Sequence, residues 1–132
     1  MYSYSFERLK VWQEVRSLTK EIYQLTKDFP KEEMFGIKSQ IRRATISVGL
    51  NIAEGSGMIT GKDQARMYKV AYGSLMEVVS ALIFSSDLGY ISPGQVEKTR
   101  ELVFKISNQL NALSKAARNK RINDSTHQRF NP

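Results

Sequence analysis

The spacing of the apolar residues is the feature of this sequence that most restricts its fold. In four segments, apolar positions recur every three or four residues, which is the period of an α-helix with one buried face. No convincing run of strict apolar and polar alternation, the pattern of a half-buried strand, is present. The repeat predicts an all-α protein whose helices span about residues 6–27, 33–54, 61–88 and 93–120.

Each predicted helix carries one stripe of core positions. The four stripes comprise, in chain order, Val11, Val15, Leu18, Ile22 and Leu25; Ile37, Ile41, Ala44, Val48 and Ile52; Met67, Ala71, Ser74, Val78 and Leu82; and Val96, Thr99, Val103, Ile106, Leu110, Leu113 and Ala117. Because the connections between them are short, consecutive helices must run in opposite directions. The sequence therefore predicts an antiparallel up-down-up-down four-helix bundle over residues 1–120, followed by a disordered basic and polar tail over residues 121–132.

Residues that end or cap helices mark the boundaries. The run Asp28-Phe29-Pro30 ends the first helix, and Thr60 with Asp63 forms a capping box at the start of the third. Gly89 supplies a left-handed cap, and Ser92-Pro93-Gly94-Gln95 begins the fourth helix. The Gly55-Ser56-Gly57 stretch is interpreted as a flexible loop between helices. A phosphate-binding loop would need glycine in place of Ser56 and Ser or Thr in place of Asp63.

Composition excludes several classes of function. At 132 residues the chain forms one domain, and without cysteine it has no disulfides, thiolate nucleophiles or cysteine-based metal sites. The longest uncharged runs, residues 44–53 and 78–86, are shorter than the roughly 20 residues that span a bilayer. The first residues have neither a basic n-region nor an apolar h-region, so we expect no secretory signal. We expect a cytoplasmic protein that does not cross a membrane.

The sequence offers little material for catalysis or for cofactor binding. Its one histidine belongs to the pair Asp124-x-x-His127 in the predicted tail, where nothing would order a metal site. We expect no metal, no cofactor, no small-molecule substrate and no enzymatic activity.

A polar stripe lies beside the core face of the second helix, and a carboxylate sits within the apolar third helix. A general acid and base pair is the alternative to a structural role, but no histidine, cysteine or metal motif accompanies these residues. We expect a hydrogen-bonded seam with buried or half-buried ion pairs among Arg43, Glu54 and Glu77. The predicted seam comprises Gln40, Arg43, Ser47, Asn51, Glu54 and Glu77.

The middle helices carry more apolar surface than one bundle core uses. The second helix has a second apolar side, roughly opposite its core face. The apolar arc of the third helix is about 200° wide. Exposed apolar patches of this extent mark protein interfaces. The sequence predicts self-association through Ile46, Leu50, Ala53, Tyr68, Tyr72, Leu75, Met76, Val79 and Ile83.

The net charge of +7 is distributed unevenly. Residues 115–132 carry five basic residues against Asp124 alone, so the first 114 residues hold only a modest excess. Basic residues bind RNA through its phosphates. The candidate contacts are Arg42, Lys115, Arg118, Lys120 and Arg121.

Several strings resemble a family of four-helix bundle proteins that are encoded in intervening sequences of 23S ribosomal RNA genes. The resemblance covers about residues 6–113 and is carried chiefly by Ser39-Gln40-Ile41-Arg42-Arg43-Ala44 and Asn51-Ile52-Ala53-Glu54-Gly55. Shorter matches are Val11-Trp12-Gln13, Ile22-Tyr23, Phe29-Pro30, Gly73-Ser74 and Leu88-Gly89-Tyr90. Met58 departs from the family pattern where members tend to have a basic residue, and Tyr68-Lys69-Val70-Ala71 departs where the family is more apolar.

The resemblance implies an all-α bundle that is frequently a homopentamer and has no established enzymatic activity. A distant likeness to the accessory variability determinant of diversity-generating retroelements, a pentameric barrel that binds a reverse transcriptase and nucleic acid, favours an RNA partner. The leading hypothesis is an oligomeric bundle that associates with RNA or a ribonucleoprotein. The alternative is a protein-interaction scaffold without nucleic-acid binding.

Overall fold

The computed structural model describes the backbone of residues 2–130 and the side chains of residues 2–120. It contains four α-helices, α1 (Lys10–Thr26), α2 (Ile37–Ser56), α3 (Gly61–Asp87) and α4 (Pro93–Phe130). Two short 3-10 helices, Ser5–Arg8 and Lys31–Glu33, precede α1 and α2, and no strand occurs in the described backbone. The prediction of an all-α four-helix bundle is confirmed.

Each helix packs against two others, in the cyclic order α1, α2, α3, α4. The packing between α2 and α3 and between α3 and α4 is the most extensive, so α3 has a large neighbour on both sides. The two diagonal pairs make no contact of this kind within the described residues. Short connections make neighbouring helices antiparallel, as the sequence predicts.

The predicted core stripes form the observed core. All their members are buried except Leu25, Ile37 and Leu113, which are half-buried and pack against the core cluster. Thr26 and Thr45 are fully buried polar additions, and each hydroxyl donates to the carbonyl four residues earlier, that of Ile22 or Ile41, over 2.8 Å. The apolar period therefore located the interior of the bundle correctly on all four helices.

The predicted caps at Gly89 and Ser92 are confirmed, and the capping box predicted for Thr60 and Asp63 forms in part. The Thr60 hydroxyl accepts a hydrogen bond from the Asp63 backbone amide over 3.1 Å. At the start of α4, the Ser92 hydroxyl accepts from the Gln95 amide over 3.1 Å, and the Gln95 side chain accepts from the Ser92 amide over 2.8 Å. Gly89 has a φ of +79°, which is the left-handed conformation that glycine adopts without strain.

Three boundaries within residues 1–120 differ by two residues or more from the predicted ones. Helix α1 begins at Lys10 rather than near residue 6, and α2 begins at Ile37 rather than near residue 33. A 3-10 turn comes before each start, and Gly36, with φ −106° and ψ −124°, lies outside the helical region immediately before α2. Helix α2 continues through Gly55 to Ser56, so the interpretation of this stretch as a flexible loop is wrong.

The predicted tail overlaps the last part of α4. The side chains of residues 121–130, and residues 131–132 altogether, lie outside the described part of the chain. The assignment of residues 121–132 to a disordered tail therefore stays a prediction.

Polar contacts join α1 to α4, and an aromatic contact closes one end of the bundle. The Thr99 hydroxyl donates to a carboxylate oxygen of Glu21 over 2.8 Å, and the Gln109 side-chain amide donates to the Glu14 carboxylate. At the bundle end, the rings of Phe29 and Tyr90 lie 5.2 Å apart between centroids. These contacts fix the heights of the helices relative to one another.

Candidate functional site

A groove between α1 and α2 forms the first apolar surface. Its rim carries Ile46 and Leu50, and the Leu50 side chain is 65% exposed. The backbone of α2 approaches α1 closely at Gly49, where a Cβ atom would lie 3.3 Å from Val15 Cγ1. The groove has a volume of about 310 Å³ and is lined by Trp12, Val15, Arg16, Thr19, Lys20, Ile46, Gly49 and Leu50.

A second apolar surface lies between α3 and α4. Phe104 stands on α4 with 67% of its surface exposed, beside Met76, which is also exposed, and Val79, which is half-buried. This groove has a volume of about 410 Å³ and is lined by Met76, Val79, Glu97, Arg100, Glu101, Val103, Phe104 and Ser107. Phe104 was not among the predicted interface residues. The sequence could have indicated it, because Phe104 is a large apolar residue that lies next to the core position Val103 but outside the core stripe of α4.

Two of the predicted interface residues belong to the core instead. Leu75 is fully buried and Tyr68 is buried within a single chain, so the interface prediction is wrong for both. Burial raises the pKa of the Tyr68 phenol above its ordinary value. Tyr72 and Ala53 are half-buried, whereas Ile83 is exposed on α3.

The predicted polar seam forms only in part. The hydroxyls of Ser47 and Ser74 are hydrogen-bonded over 2.9 Å, and the Asn51 side-chain amide donates to the Ser47 carbonyl and hydroxyl oxygens over 2.8 and 3.0 Å. This network joins α2 to α3. The rest of the predicted seam does not take part in it.

The predicted ion pairs of the seam are absent. Arg43, Glu54 and Glu77 are all exposed, as is Gln40. Within residues 2–120 the one ion pair joins Arg66 to Asp63 over 4.0 Å, at exposed positions on α3. The prediction of buried ion pairs among Arg43, Glu54 and Glu77 is therefore wrong for the single chain.

Arg42 is engaged inside the chain. Its Nε donates to the Thr26 hydroxyl over 2.8 Å, and one terminal nitrogen donates to the Tyr23 carbonyl over 3.2 Å. The guanidinium carbon lies 4.2 Å from the centroid of the Tyr23 ring. The side chain thus caps the carboxyl end of α1, which corrects its assignment as a cation available to RNA.

Three other predicted RNA contacts are exposed to solvent. Lys115, Arg118 and Lys120 are exposed on α4, and residues 115–120 include no acidic residue. Arg121 was assigned to the same group, but its side chain lies outside the described residues. The described part of α4 therefore presents a short basic segment to solvent.

The described residues offer no obvious metal site. No group of three or more metal-ligating histidine, cysteine, aspartate or glutamate side chains occurs among them.

By length and composition, α3 is long and apolar enough to cross a membrane, but the core helix of a soluble bundle meets the same criterion. In this fold, α3 is such a core helix, because it packs against both α2 and α4.

Comparison with known proteins supplies a family and a structural neighbour. The sequence profile of the family described as "23S rRNA-intervening sequence protein" matches residues 7–112. A solved structure of a protein of unknown function from the S23 ribosomal protein family of Bacteroides thetaiotaomicron is 21% identical, with a TM-score of 0.70. The match covers 80% of this chain and 98% of that one. No significant match was found among curated proteins. Neither description names a catalytic activity.

Proposed function

The chain belongs to the 23S rRNA-intervening sequence protein family, and we propose that it acts as a self-associating helical bundle without catalytic activity, which binds RNA or a ribonucleoprotein. The observation that carries this proposal is the pair of exposed apolar surfaces, one on each side of the core. Leu50 marks one surface and Phe104 the other, and both leave large side chains in water in a single chain. Burying them between copies removes this apolar area from water.

The basic segment of α4 supports the RNA part of the proposal. Lys115, Arg118 and Lys120 are exposed and have no acidic neighbour within residues 115–120. An oligomer would carry one such basic segment for each subunit. The proposal places the protein in the cytoplasm, where ribosomal RNA is available.

Sedimentation of the native chain at micromolar concentration tests self-association. We expect one oligomeric species, and the family resemblance implies a pentamer. A monodisperse monomer at this concentration contradicts the proposal.

RNA binding is tested by filter retention of a single-stranded RNA across a series of salt concentrations. Phosphate contacts lower log Kobs by about 0.7 per neutralised phosphate for each unit of log salt. We expect steep salt dependence and little sequence preference, because contacts to the backbone do not identify bases. Failure to retain RNA at about 50 mM salt contradicts RNA binding.

A charge-matched pair of variants locates the RNA contacts. Changing Lys115, Arg118 and Lys120 together to glutamate should abolish retention. The same change at the basic residues of the first half of α3, Lys62, Arg66 and Lys69, alters the net charge equally and should reduce retention much less. A chain ending after Lys120 measures the contribution of Arg121 and the residues beyond it. Equal losses from the two triple variants would point to net charge rather than to this segment.

A protein-interaction scaffold without nucleic-acid binding is the second candidate function. The exposed apolar surfaces favour it, because apolar side chains form the centres of protein interfaces. An oligomer that does not retain RNA at low salt would support this alternative.

A further inference from the structure

We propose that copies of this chain associate head to tail, with the α3/α4 face of one copy seated in the α1/α2 groove of the next. The proposal rests on the self-association proposed above and specifies which surfaces meet. Phe104 is the anchor that enters the groove beside Leu50. Aromatic side chains that fill pockets at the centre of an interface supply much of its binding energy.

The charges around the two surfaces are opposite. The α1/α2 groove carries Arg16 and Lys20 among its lining residues and no carboxylate. The α3/α4 face carries Glu97 and Glu101 around a single cation, Arg100. A basic rim therefore meets a net acidic rim when the two different surfaces come together.

Pairing of two α1/α2 grooves is disfavoured by the same charges. Two α1/α2 grooves in contact would bring Arg16 and Lys20 of one copy against the same cations of the other. Like charges placed opposite one another cost association energy and exclude the wrong arrangement. Such a two-fold pair would also leave Phe104 exposed on both copies.

The cyclic packing order places the two surfaces on separate sides of the bundle. Helices α1 and α2 are neighbours, as are α3 and α4, so the two grooves share no helix. One copy can therefore use both surfaces at once, each with a different neighbour. A contact between two different surfaces generates a ring when the rotation closes and a filament when it does not.

The contacts between α1 and α4 meet one condition for a ring, which is that neighbouring copies are not shifted along the bundle axis. The bonds of Thr99 to Glu21 and of Gln109 to Glu14 set residues 99–109 of α4 level with residues 14–21 of α1. The lining residues of the groove on α1 span 12–20, and those of the opposing face on α4 span 97–107. Because the two surfaces lie at similar heights, a neighbour can be placed by rotation without a shift along the bundle axis. A shift at each subunit would instead build a filament.

Charge reversal with rescue in the same chain tests this arrangement. At a concentration where the native chain is half assembled, Lys20→Glu and Glu101→Lys should each abolish the oligomer peak in sedimentation. The double variant K20E/E101K should restore it, because every head-to-tail contact regains one acidic and one basic partner. Lys98→Glu, an exposed change on α4 outside the groove lining, should leave assembly unchanged. Circular dichroism verifies that each variant keeps its helices.

Chemical cross-linking provides an independent readout, because the native chain has no cysteine. A short bis-maleimide should join copies of the double variant Lys20→Cys and Glu101→Cys into a ladder that ends at the number of subunits. Either single variant should give no covalent dimer on its own, while a mixture of the two should.

The outcomes separate the two proposals. Rescue by K20E/E101K together with the ladder supports head-to-tail association. A native oligomer without rescue, or one in which Lys20→Cys cross-links to itself, overturns the assignment of the faces and leaves self-association standing. A native chain that sediments as a monomer overturns both.

Discussion

The Nε atom of Arg42 donates a hydrogen bond of 2.8 Å to the hydroxyl of Thr26, which is fully buried at the carboxyl end of α1. The Thr26 hydroxyl in turn donates to the Ile22 carbonyl over 2.8 Å. The guanidinium also reaches the Tyr23 carbonyl, one of the last four of α1, which have no backbone amide partner within the helix. A cation of α2 thereby stabilises the negative end of α1 and fixes the packing of the two helices.

Replacing Arg42 with alanine should lower the free energy of unfolding by about 2 kcal/mol. Hydrogen bonds to a charged group contribute about 1.5–3 kcal/mol, and the contact with the Tyr23 ring adds to them. The neighbouring variant Arg43→Ala is the control, because Arg43 is exposed and should change stability by less than about 0.5 kcal/mol. Urea denaturation measures both. Equal effects of the two substitutions would contradict the capping role of Arg42.

Tyr90 should make the stability of the bundle sensitive to alkaline pH. Its phenol donates a hydrogen bond of 2.7 Å to the Glu33 carboxylate. This bond raises the pKa of Tyr90 above its ordinary value, and burial and the charges of Glu33 and Glu32 act in the same direction. A raised pKa means that the folded state holds the proton more tightly than the unfolded state does. Its stabilising contribution is therefore complete below about pH 10 and is lost as the pH rises through the folded pKa.

The variant Tyr90→Phe tests this pH dependence. It removes the titrating group but keeps the ring that packs on Phe29, so it should lose less stability than the native chain in the interval above about pH 10. Denaturation midpoints across this interval provide the comparison. The pKa of Tyr68 is also raised, but Tyr68 is present in both chains, so its contribution to the pH dependence cancels in the comparison. Parallel losses in the two chains would show that the Glu33 contact does not couple to folding.

A charge at Leu50 should weaken assembly while leaving the helices intact. Leu50 is 65% exposed in the single chain, so Leu50→Arg replaces the proposed apolar contact with Phe104 of the next copy by a charge that must be desolvated, without entering the core. Ile59→Arg is the matched control, because Ile59 is 90% exposed in the connection between α2 and α3, outside both grooves. Sedimentation should show a smaller oligomer fraction for Leu50→Arg alone. Equal behaviour of the two variants would remove Leu50 from the interface.

The core stripes and the helix caps could be predicted because both depend on residues that are close together in the sequence. The apolar period identifies a core stripe because each helix turns its residues at a fixed angle, and Thr60, Gly89 and Ser92 act on their own helix ends. The start of α2 was placed too early, because the break at Gly36 is a backbone conformation that the residue sequence permits but does not require.

The errors in the candidate site have a different origin, in contacts between helices. The wide apolar arc of α3 suggested a large free surface, but α3 lies between two extensive neighbours, which cover Leu75 and Tyr68. Arg42 was similarly assigned to RNA because its charge is visible in the sequence, whereas its partner Thr26 is 16 residues away. How much of an amphipathic helix stays exposed depends on the number of neighbours, which the period alone does not give.

Gly55 provides a last test of how closely α2 and α3 approach. A Cβ atom there would lie 2.8 Å from Tyr68 Cε1 and 3.0 Å from Met67 Cβ, and the latter atom cannot move without the backbone of α3. Overpacking costs about 1–3 kcal/mol, which exceeds the gain of about 0.5–1 kcal/mol that alanine brings to a helix interior. Gly55→Ala should therefore lower the free energy of unfolding.

Gly73→Ala is the matched control for this prediction. Gly73 lies within α3, where an added Cβ meets nothing within 4 Å, so only the gain in helix propensity remains. This substitution should raise the free energy of unfolding by about 0.5–1 kcal/mol. Opposite shifts of the urea midpoint for the two variants are the expected result. A stabilising Gly55→Ala would mean that α2 and α3 separate enough at this point to admit a methyl group.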